Sequence, residues 1–206
     1  VDNEEFMELM QNSYREAGFE LLGYADQGFR VMSSNKAVEN FSDFKGQKIR
    51  TMEDPYQLAF WKELGSNPTP MNFSEVYIGL QQNTIDAQEN PYEVIVSNRL
   101  YEQQDYIIET NHVPHLISLV VSEAFFEELS KEDQQILIEA QEIAKAYARE
   151  QSDQRIDERI QIIKDSGTEI ITLNEETMEE MKTASQPVYE EIAEVVDSEI
   201  LKLYSR

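Results

Sequence analysis

The spacing of apolar residues predicts a chain in which helices and short strands alternate. Apolar residues three or four positions apart, the spacing of one helix face, occur in the segments 4–17, 55–64, 131–165, 175–186 and 188–203. Alternating or β-branched runs, which are typical of strands, occur in the segments 19–24, 28–33, 48–52, 106–110, 116–121 and 169–173. Short connections between such elements favour an α/β fold that contains parallel strands.

The stretch 45–91 holds the clearest local signals. Residues 48–52 alternate charged and apolar side chains, so they predict a strand with Arg50 at or near its carboxyl end. Residues that suit a helix cap precede three predicted helices: Asp54, Asn72 and Asn90. Residues 86–91 are predicted to form a turn. Because ligands of parallel sheets bind beyond the carboxyl ends of the strands, Arg50 is the first candidate binding residue.

The segment 131–165 predicts one long helix. It contains neither proline nor glycine, and at 1.5 Å per residue it would be about 50 Å long. Such a helix is longer than one small domain is wide. A coiled-coil seam is the alternative, but the gap in apolar positions between Tyr147 and Ile156 disfavours it.

Charge and composition narrow the classes of partner and chemistry. The 206 residues include 41 acidic and 17 basic side chains, for a net charge of -24. Nucleic acids and anionic membranes are therefore disfavoured as partners, since both require lysine and arginine. The chain has no cysteine, which excludes disulfides and thiolate metal sites. His112 and His115 lack ligand partners at metal-binding spacing, so we expect no metal, and we expect both to be polar loop residues.

An acidic protein that binds an anion must concentrate positive charge locally, which makes the few arginines informative. A guanidinium matches the two oxygens of a carboxylate in a bidentate pair. Arg50 is therefore predicted to bind a carboxylate. The alternative is an internal salt bridge to Glu53 or Glu75. No nucleophile elbow, phosphate loop or other catalytic constellation is present, so the sequence does not predict an enzyme, and no cofactor is expected.

Several motifs together resemble one transporter-receptor family. They are Gly46-Gln47-Lys48-Ile49-Arg50, Leu64-Gly65-Ser66-Asn67-Pro68-Thr69-Pro70-Met71, Phe73-Ser74-Glu75-Val76-Tyr77, Leu80-Gln81, Asp86-Ala87-Gln88-Glu89-Asn90-Pro91 and Thr110-Asn111-His112. In this combination the chain resembles the DctP-type solute-binding proteins of tripartite ATP-independent periplasmic (TRAP) transporters. The resemblance implies an α/β, periplasmic-binding-protein-like two-lobe fold of type II-like topology, with a long lobe-spanning helix. It also implies that the amino-terminal part of the first lobe is absent from this sequence.

The resemblance divides the chain between two lobes. Residues 1–27 and 116–155 are expected in lobe I, and residues 28–115 and 156–206 in the carboxylate-binding lobe II. A first lobe that lacks its early strands would expose a sheet edge. We therefore expect a swapped or edge-paired homodimer of this 206-residue chain.

The resemblance also assigns roles to residues of the second lobe. Arg50 is expected to pair with the ligand carboxylate, Arg30 to reinforce it, Asn90 to bond a ligand oxygen, and Phe73 to provide an apolar face. The alternatives are a surface arginine at 30, a helix cap at 90 and a hydrophobic staple at 73. Ala87 replaces a usual glycine. Ile117 stands where some members have a polar ligand contact, which argues against a heavily hydroxylated ligand such as a sialic acid.

The function that this resemblance implies is an extracytoplasmic, periplasmic receptor that binds an organic acid, a carboxylate or dicarboxylate. The receptor would close around its ligand and deliver it to TRAP membrane subunits. A signal peptide or a lipid anchor is expected in the full-length protein. Two alternatives from other classes are a ligand-sensing module for a signalling partner and an enzyme that acts on an organic acid.

Overall fold

The computed structural model describes residues 2–204, except for the side chain of Asp153. The helices of this part of the chain are α1 (Glu4–Glu16), α2 (Pro55–Glu63), α3 (Val76–Gln81), α4 (Tyr92–Ser97), α5 (Glu123–Glu128), α6 (Lys131–Asp165), α7 (Glu175–Ala184), α8 (Gln186–Val195) and α9 (Ser198–Tyr204). The strands are β1 (Phe19–Ser34), β2 (Lys48–Thr51), β3 (Asn67–Pro70), β4 (Ala87–Pro91), β5 (Tyr106–Ser122) and β6 (Glu169–Ile171). Short 3-10 helices occupy Phe41–Phe44, Phe73–Glu75 and Leu100–Gln103.

The described residues group into two compact units. The first draws on the stretches Val1–Gly28, His115–Gln154 and Val195–Arg206, and the second on Phe29–Pro114 and Arg155–Glu194. Four elements, β1, β5, α6 and α8, contribute residues to both units.

The second unit is built on a mixed sheet. Its strands lie in the order β3-β2-β4-β1-β5-β6. Strand β2 is parallel to both β3 and β4, and β5 is parallel to β6. Strand β1 runs antiparallel to β4, with Ser33 opposite Gln88. The predicted α/β layer with parallel strands is therefore present, and β1 adds an antiparallel member.

Two apolar clusters cover this sheet in the second unit. One surrounds Trp61 and Phe44, whose rings lie 6.1 Å apart. The other is centred on Ile95 and Leu100, and it includes Ile163 from the end of α6. Burial of a large apolar side chain stabilises the fold by about 1.5–3 kcal/mol. These clusters hold β2 and β4 in place, and β2 and β4 carry the candidate site.

The first unit has a smaller core of its own. Phe6 of α1 packs with Leu21 and Tyr24 of β1, and Ile200 and Leu203 of α9 pack against them. The expected division placed residues 156–206 together in the second lobe. In the structure Ile200 and Leu203 of α9 are partly buried and pack against the core of the first unit, and the expected lobe boundaries stay a prediction.

Three stretches predicted as a turn or as breaks between strands are extended in the structure. Residues 19–34 form one strand rather than two. Gly28 interrupts its regular geometry with a φ of 73°, which glycine adopts without steric cost. Residues 106–122 likewise form one strand. The predicted turn at 86–91 is wrong, since Ala87–Pro91 is the buried strand β4. The long helix is confirmed at Lys131–Asp165.

Among residues 2–204, no helix combines the length and the apolar character that a membrane crossing requires.

Candidate functional site

Arg50 lies near the end of a short buried strand. Strand β2 pairs with β3 and β4, which sets Arg50 opposite Thr69 on one side and Gln88 on the other. Asp54 accepts a hydrogen bond from the backbone N–H of Gln57 at 2.8 Å. This hydrogen bond confirms the predicted helix cap. Strand β2 ends at Thr51, and helix α2 begins at Pro55.

The Arg50 guanidinium is buried and only partly satisfied. The residue is 3% exposed, and its Nε donates to the carbonyl oxygen of Met71 at 2.9 Å. Its Cζ lies 5.7 Å from the ring centroid of Phe73, within the range of a cation–π contact. Nη1 and Nη2 have no hydrogen-bond partner among the described residues, and neither atom is fully enclosed.

No carboxylate of the described chain forms an ion pair with Arg50. The salt bridges to Glu53 or Glu75 that were the alternative are therefore not formed. Burial lowers the pKa of Arg50, attraction to Glu89 opposes that shift, and repulsion from Arg30 adds to it. The guanidinium remains charged, since arginine does not lose its proton in proteins.

Arg30 is held by Glu89 in a buried bidentate ion pair. Its Nε donates to Glu89 Oε2 at 2.5 Å and its Nη2 to Oε1 at 2.8 Å. Both side chains are almost inaccessible, at 5% and 0% exposure. Arg30 is therefore not the surface arginine that the sequence left open.

His112 completes the surroundings of Glu89. Its Nε2 lies 3.1 Å from Glu89 Oε2, and its Nδ1 lies 2.8 Å from the hydroxyl of Thr110. The imidazole stacks on Phe60 at 5.4 Å and meets Trp61 edge-on at 5.0 Å. The expectation of a polar loop residue is wrong for His112, which lies in β5 with its side chain buried.

The pKa of Glu89 follows from these contacts. Burial alone would raise it, but hydrogen bonds from His112 and Arg30 and the charge of Arg30 hold it below its ordinary value. Glu89 is thus an anion. Two guanidinium groups and one carboxylate give this cluster an excess positive charge, and the excess lies on Arg50.

Asn90 is not a helix cap. Helix α4 begins at Tyr92, and its N-cap residue is Pro91, whose side chain makes no capping hydrogen bond. The Asn90 side chain instead accepts from Arg30 Nη2 at 3.0 Å and donates to Gln88 Oε1 at 2.6 Å. Strand β4 therefore brings Asn90 to Arg30.

Phe73 opens the short 3-10 helix Phe73–Glu75 and is 41% exposed. Asn72 makes no capping hydrogen bond there, so the predicted cap at this position is wrong. The exposed Phe73 thus lies next to the buried Arg50 guanidinium. Ile117 lies in the first unit and is 37% exposed; its expected place near a ligand stays a prediction.

Sequence reasoning brought Arg30, Arg50, Phe73 and Asn90 into one site but missed Glu89 and His112. Glu89 lies in the motif 86–91, directly before the predicted ligand contact Asn90. A charged residue at that place could have been recognised as part of the site. His112 also stood in a quoted motif, but nothing in that motif pointed to Glu89, because the two residues meet only through pairing of distant strands.

The described residues contain no metal-binding cluster, and a pocket in the second unit is not lined by Arg50. No group of three or more His, Cys, Asp or Glu side chains within the described residues could hold a metal ion. A pocket of about 840 Å³ lies elsewhere in the second unit, lined by polar residues that include Asn35, Gln104 and Thr168.

The sequence matches the family described as bacterial extracellular solute-binding protein, family 7 (DctP), over residues 1–195. The chain belongs to this family. The 2,3-diketo-L-gulonate-binding periplasmic protein YiaO of Escherichia coli is 38% identical over 156 residues, which are 75% of this chain and 48% of YiaO.

Solved structures agree with the DctP assignment. A TRAP periplasmic solute-binding protein from Haemophilus influenzae with bound L-gulonate is 32% identical, with a TM-score of 0.91 over 98% of this chain and 66% of that one. The periplasmic ectoine-binding protein of the TeaABC TRAP transporter of Halomonas elongata is 31% identical, with a TM-score of 0.91 over the same shares. The expected periplasmic-binding-protein-like α/β fold is confirmed. The chain spans about half the length of YiaO and two thirds of the solved relatives.

Proposed function

We propose that this protein is an extracytoplasmic receptor that binds an organic acid and delivers it to the membrane subunits of a TRAP transporter. The observation that carries the proposal is the environment of the buried Arg50 guanidinium. Among the described residues, its two Nη atoms have no hydrogen-bond acceptor, and no carboxylate forms an ion pair with it. A carboxylate ligand would supply both acceptors in the bidentate geometry that a guanidinium favours.

The charges around Arg50 suit an anion in particular. Glu89 already neutralises the charge of Arg30. A neutral ligand would therefore leave the positive charge of Arg50 without an ion-pair partner at a buried position, which is energetically unfavourable. A ligand carboxylate would remove that cost and form charge-assisted hydrogen bonds, each contributing about 1.5–3 kcal/mol. Arg30 would reinforce the attraction to the anion, Asn90 would bond one of its oxygens, and Phe73 would cover its apolar part.

The relatives support this ligand class and the transport role. YiaO is described as binding 2,3-diketo-L-gulonate, and the Haemophilus influenzae relative holds L-gulonate. Two of the relatives are described as components of TRAP systems. A binding protein needs no catalytic group, and the proposed role involves no turnover and no cofactor. A periplasmic location follows for this chain if it works as these relatives do.

Isothermal titration calorimetry against matched acids and neutral analogues tests the proposal. L-gulonate and a panel of mono- and dicarboxylates are titrated beside the corresponding amides and the neutral gulono-lactone. We expect saturable binding confined to the acids and weakened by salt. Equal binding of acid and neutral analogue, or binding of no acid at all, would overturn the proposal. Recovery of the acid unchanged after incubation separates a receptor from an enzyme.

The edge-paired or swapped homodimer stays a prediction. Light scattering of the chain across a range of concentrations measures it directly, and a concentration-independent monomer would contradict it.

A further inference from the structure

A row of buried side chains leads away from Arg30 through the second unit. Asn90 Nδ2 donates to Gln88 Oε1 at 2.6 Å, and Gln88 Nε2 donates to Ser33 Oγ at 2.7 Å. Ser33 Oγ in turn donates to Gln104 Oε1 at 2.8 Å. We call Asn90, Gln88, Ser33 and Gln104 the polar row. Each member is at most 5% exposed.

The direction of these hydrogen bonds is fixed at both ends of the polar row. Arg30 carries only donors, so the Asn90 atom that faces its Nη2 at 3.0 Å must be the oxygen. At the other end, Gln104 Nε2 lies 3.0 Å from the carbonyl oxygen of Gln103 and 3.3 Å from that of Asp86. Carbonyl oxygens only accept, so the Gln104 amide cannot turn over. Neither end allows the row to reverse.

Strand pairing explains why the row exists. Ser33 and Gln88 are register partners in β1 and β4, and Gln88 is also the register partner of Arg50 in β2. Asn90 lies two residues beyond Gln88 on β4, so both side chains project from the same face of the strand. The row therefore runs directly beside the register position of the proposed carboxylate-binding arginine.

We propose that Gln88, Ser33 and Gln104 are positioning residues that set the orientation of the Asn90 amide for ligand binding. With Oδ1 engaged by Arg30 and one Nδ2–H given to Gln88, Asn90 retains one N–H, which has no acceptor among the described residues. The polar row thus leaves one N–H of the Asn90 amide to donate a hydrogen bond to an oxygen of the acid. This inference rests on the proposed function.

Two neighbouring serines allow a matched test. Ser33 and Ser34 are both fully buried in β1, and both donate to a glutamine, Ser34 Oγ to Gln47 Oε1 at 2.7 Å. Only Ser33 belongs to the polar row. Ser33→Ala and Ser34→Ala should therefore lower stability similarly, whereas only Ser33→Ala should release Gln88 and, through it, Asn90.

The experiment measures L-gulonate binding by calorimetry and the exchange of the Asn90 side-chain amide protons by NMR in the full chain. We expect Ser33→Ala to weaken L-gulonate about fivefold or more, the effect of one net hydrogen bond, and Ser34→Ala to change it less than twofold. Exchange of the Asn90 amide protons should accelerate only in Ser33→Ala. Equal effects of the two variants on binding and on exchange would overturn the proposal.

Two further arms keep the outcome decisive. Gln104→Met removes the last amide of the polar row at similar side-chain volume. We expect this variant, like Ser33→Ala, to weaken L-gulonate binding and to accelerate exchange of the Asn90 amide protons. It also tests the polar row if Ser33→Ala does not fold. If the wild-type chain binds no acid, the proposed function fails. Exchange of the Asn90 amide protons in the ligand-free protein then still tests whether the polar row holds that amide in place. Unaltered exchange in Ser33→Ala and Gln104→Met would overturn this claim, and faster exchange would support it.

Discussion

Arg30 and Glu89 form a bidentate ion pair that is almost completely removed from solvent, with Nε–Oε2 and Nη2–Oε1 distances of 2.5 and 2.8 Å. Both charges are committed to each other, so this pair is part of the framework of the site. Arg50, by contrast, forms no ion pair with a carboxylate of the described residues, and Glu89 attracts it only at longer range. The two arginines therefore differ in role, although the sequence presented both as carboxylate contacts.

Glu89→Gln should destabilise the protein strongly. The change leaves Arg30 buried without its carboxylate, and breaking one partner of a buried pair costs about 3–5 kcal/mol. Chemical denaturation measures the free energy of unfolding. The matched control is Glu93→Gln, which removes a partly exposed pair with Arg159 and should cost at most about 1 kcal/mol. Similar losses in the two variants would contradict this account of Glu89.

Stability should fall in acid partly because of Glu89. Its folded-state pKa lies below the ordinary value of 4.5, so the unfolded chain binds more protons as the pH falls. The contribution of Glu89 is therefore fully present above pH 4.5 and is lost as the pH falls through its folded-state pKa. The free energy of unfolding, measured from about pH 6 to pH 3, should decline more steeply in wild type than in Glu89→Gln. Parallel curves would contradict the prediction.

His112→Phe should separate the hydrogen bonds of the imidazole from its packing. Phenylalanine keeps a ring between Phe60 and Trp61 but cannot bond Glu89, so we expect a loss of about 1–3 kcal/mol in the free energy of unfolding. Thr110→Val removes only the hydroxyl that meets Nδ1 and should cost about 1 kcal/mol.

Because Thr110 and His112 share one hydrogen bond, their effects on stability should not add. The double variant should therefore be less destabilised than the sum of the two single variants. Additive losses would show that the hydroxyl and the imidazole act independently.

The sequence predicted local features well and tertiary ones poorly. Helix α6 was predictable from end to end, since neither glycine nor proline interrupts it before Gly167. Strand β2 was predictable from alternation, and Asp54 marked its end. Strand β4 was not, because Asn90-Pro91 looks like a helix start, whereas pairing with β1 and β2 keeps the chain extended.

The candidate site divides in the same way. Arg50 could be found because its strand and the following cap are local signals. The ion pair between Arg30 and Glu89 joins residues 59 positions apart, and His112 meets Glu89 from a third strand. No pattern along the chain reports such pairings, since they depend on the order of strands in the sheet.

Calorimetric titration of Arg50→Ala with L-gulonate, or with the acid of the panel that the wild-type chain binds most tightly, tests the central claim most directly. Arg99→Ala serves as the control, since that arginine is 71% exposed and pairs with Glu102. We predict that Arg50→Ala folds with wild-type stability or better, because it removes a buried charge that forms no ion pair with the protein and whose desolvation outweighs its attraction to Glu89. Its affinity should fall by about tenfold or more, the loss of at least one charge-assisted hydrogen bond, while Arg99→Ala binds as wild type does. Wild-type affinity in a folded Arg50→Ala protein would contradict the account.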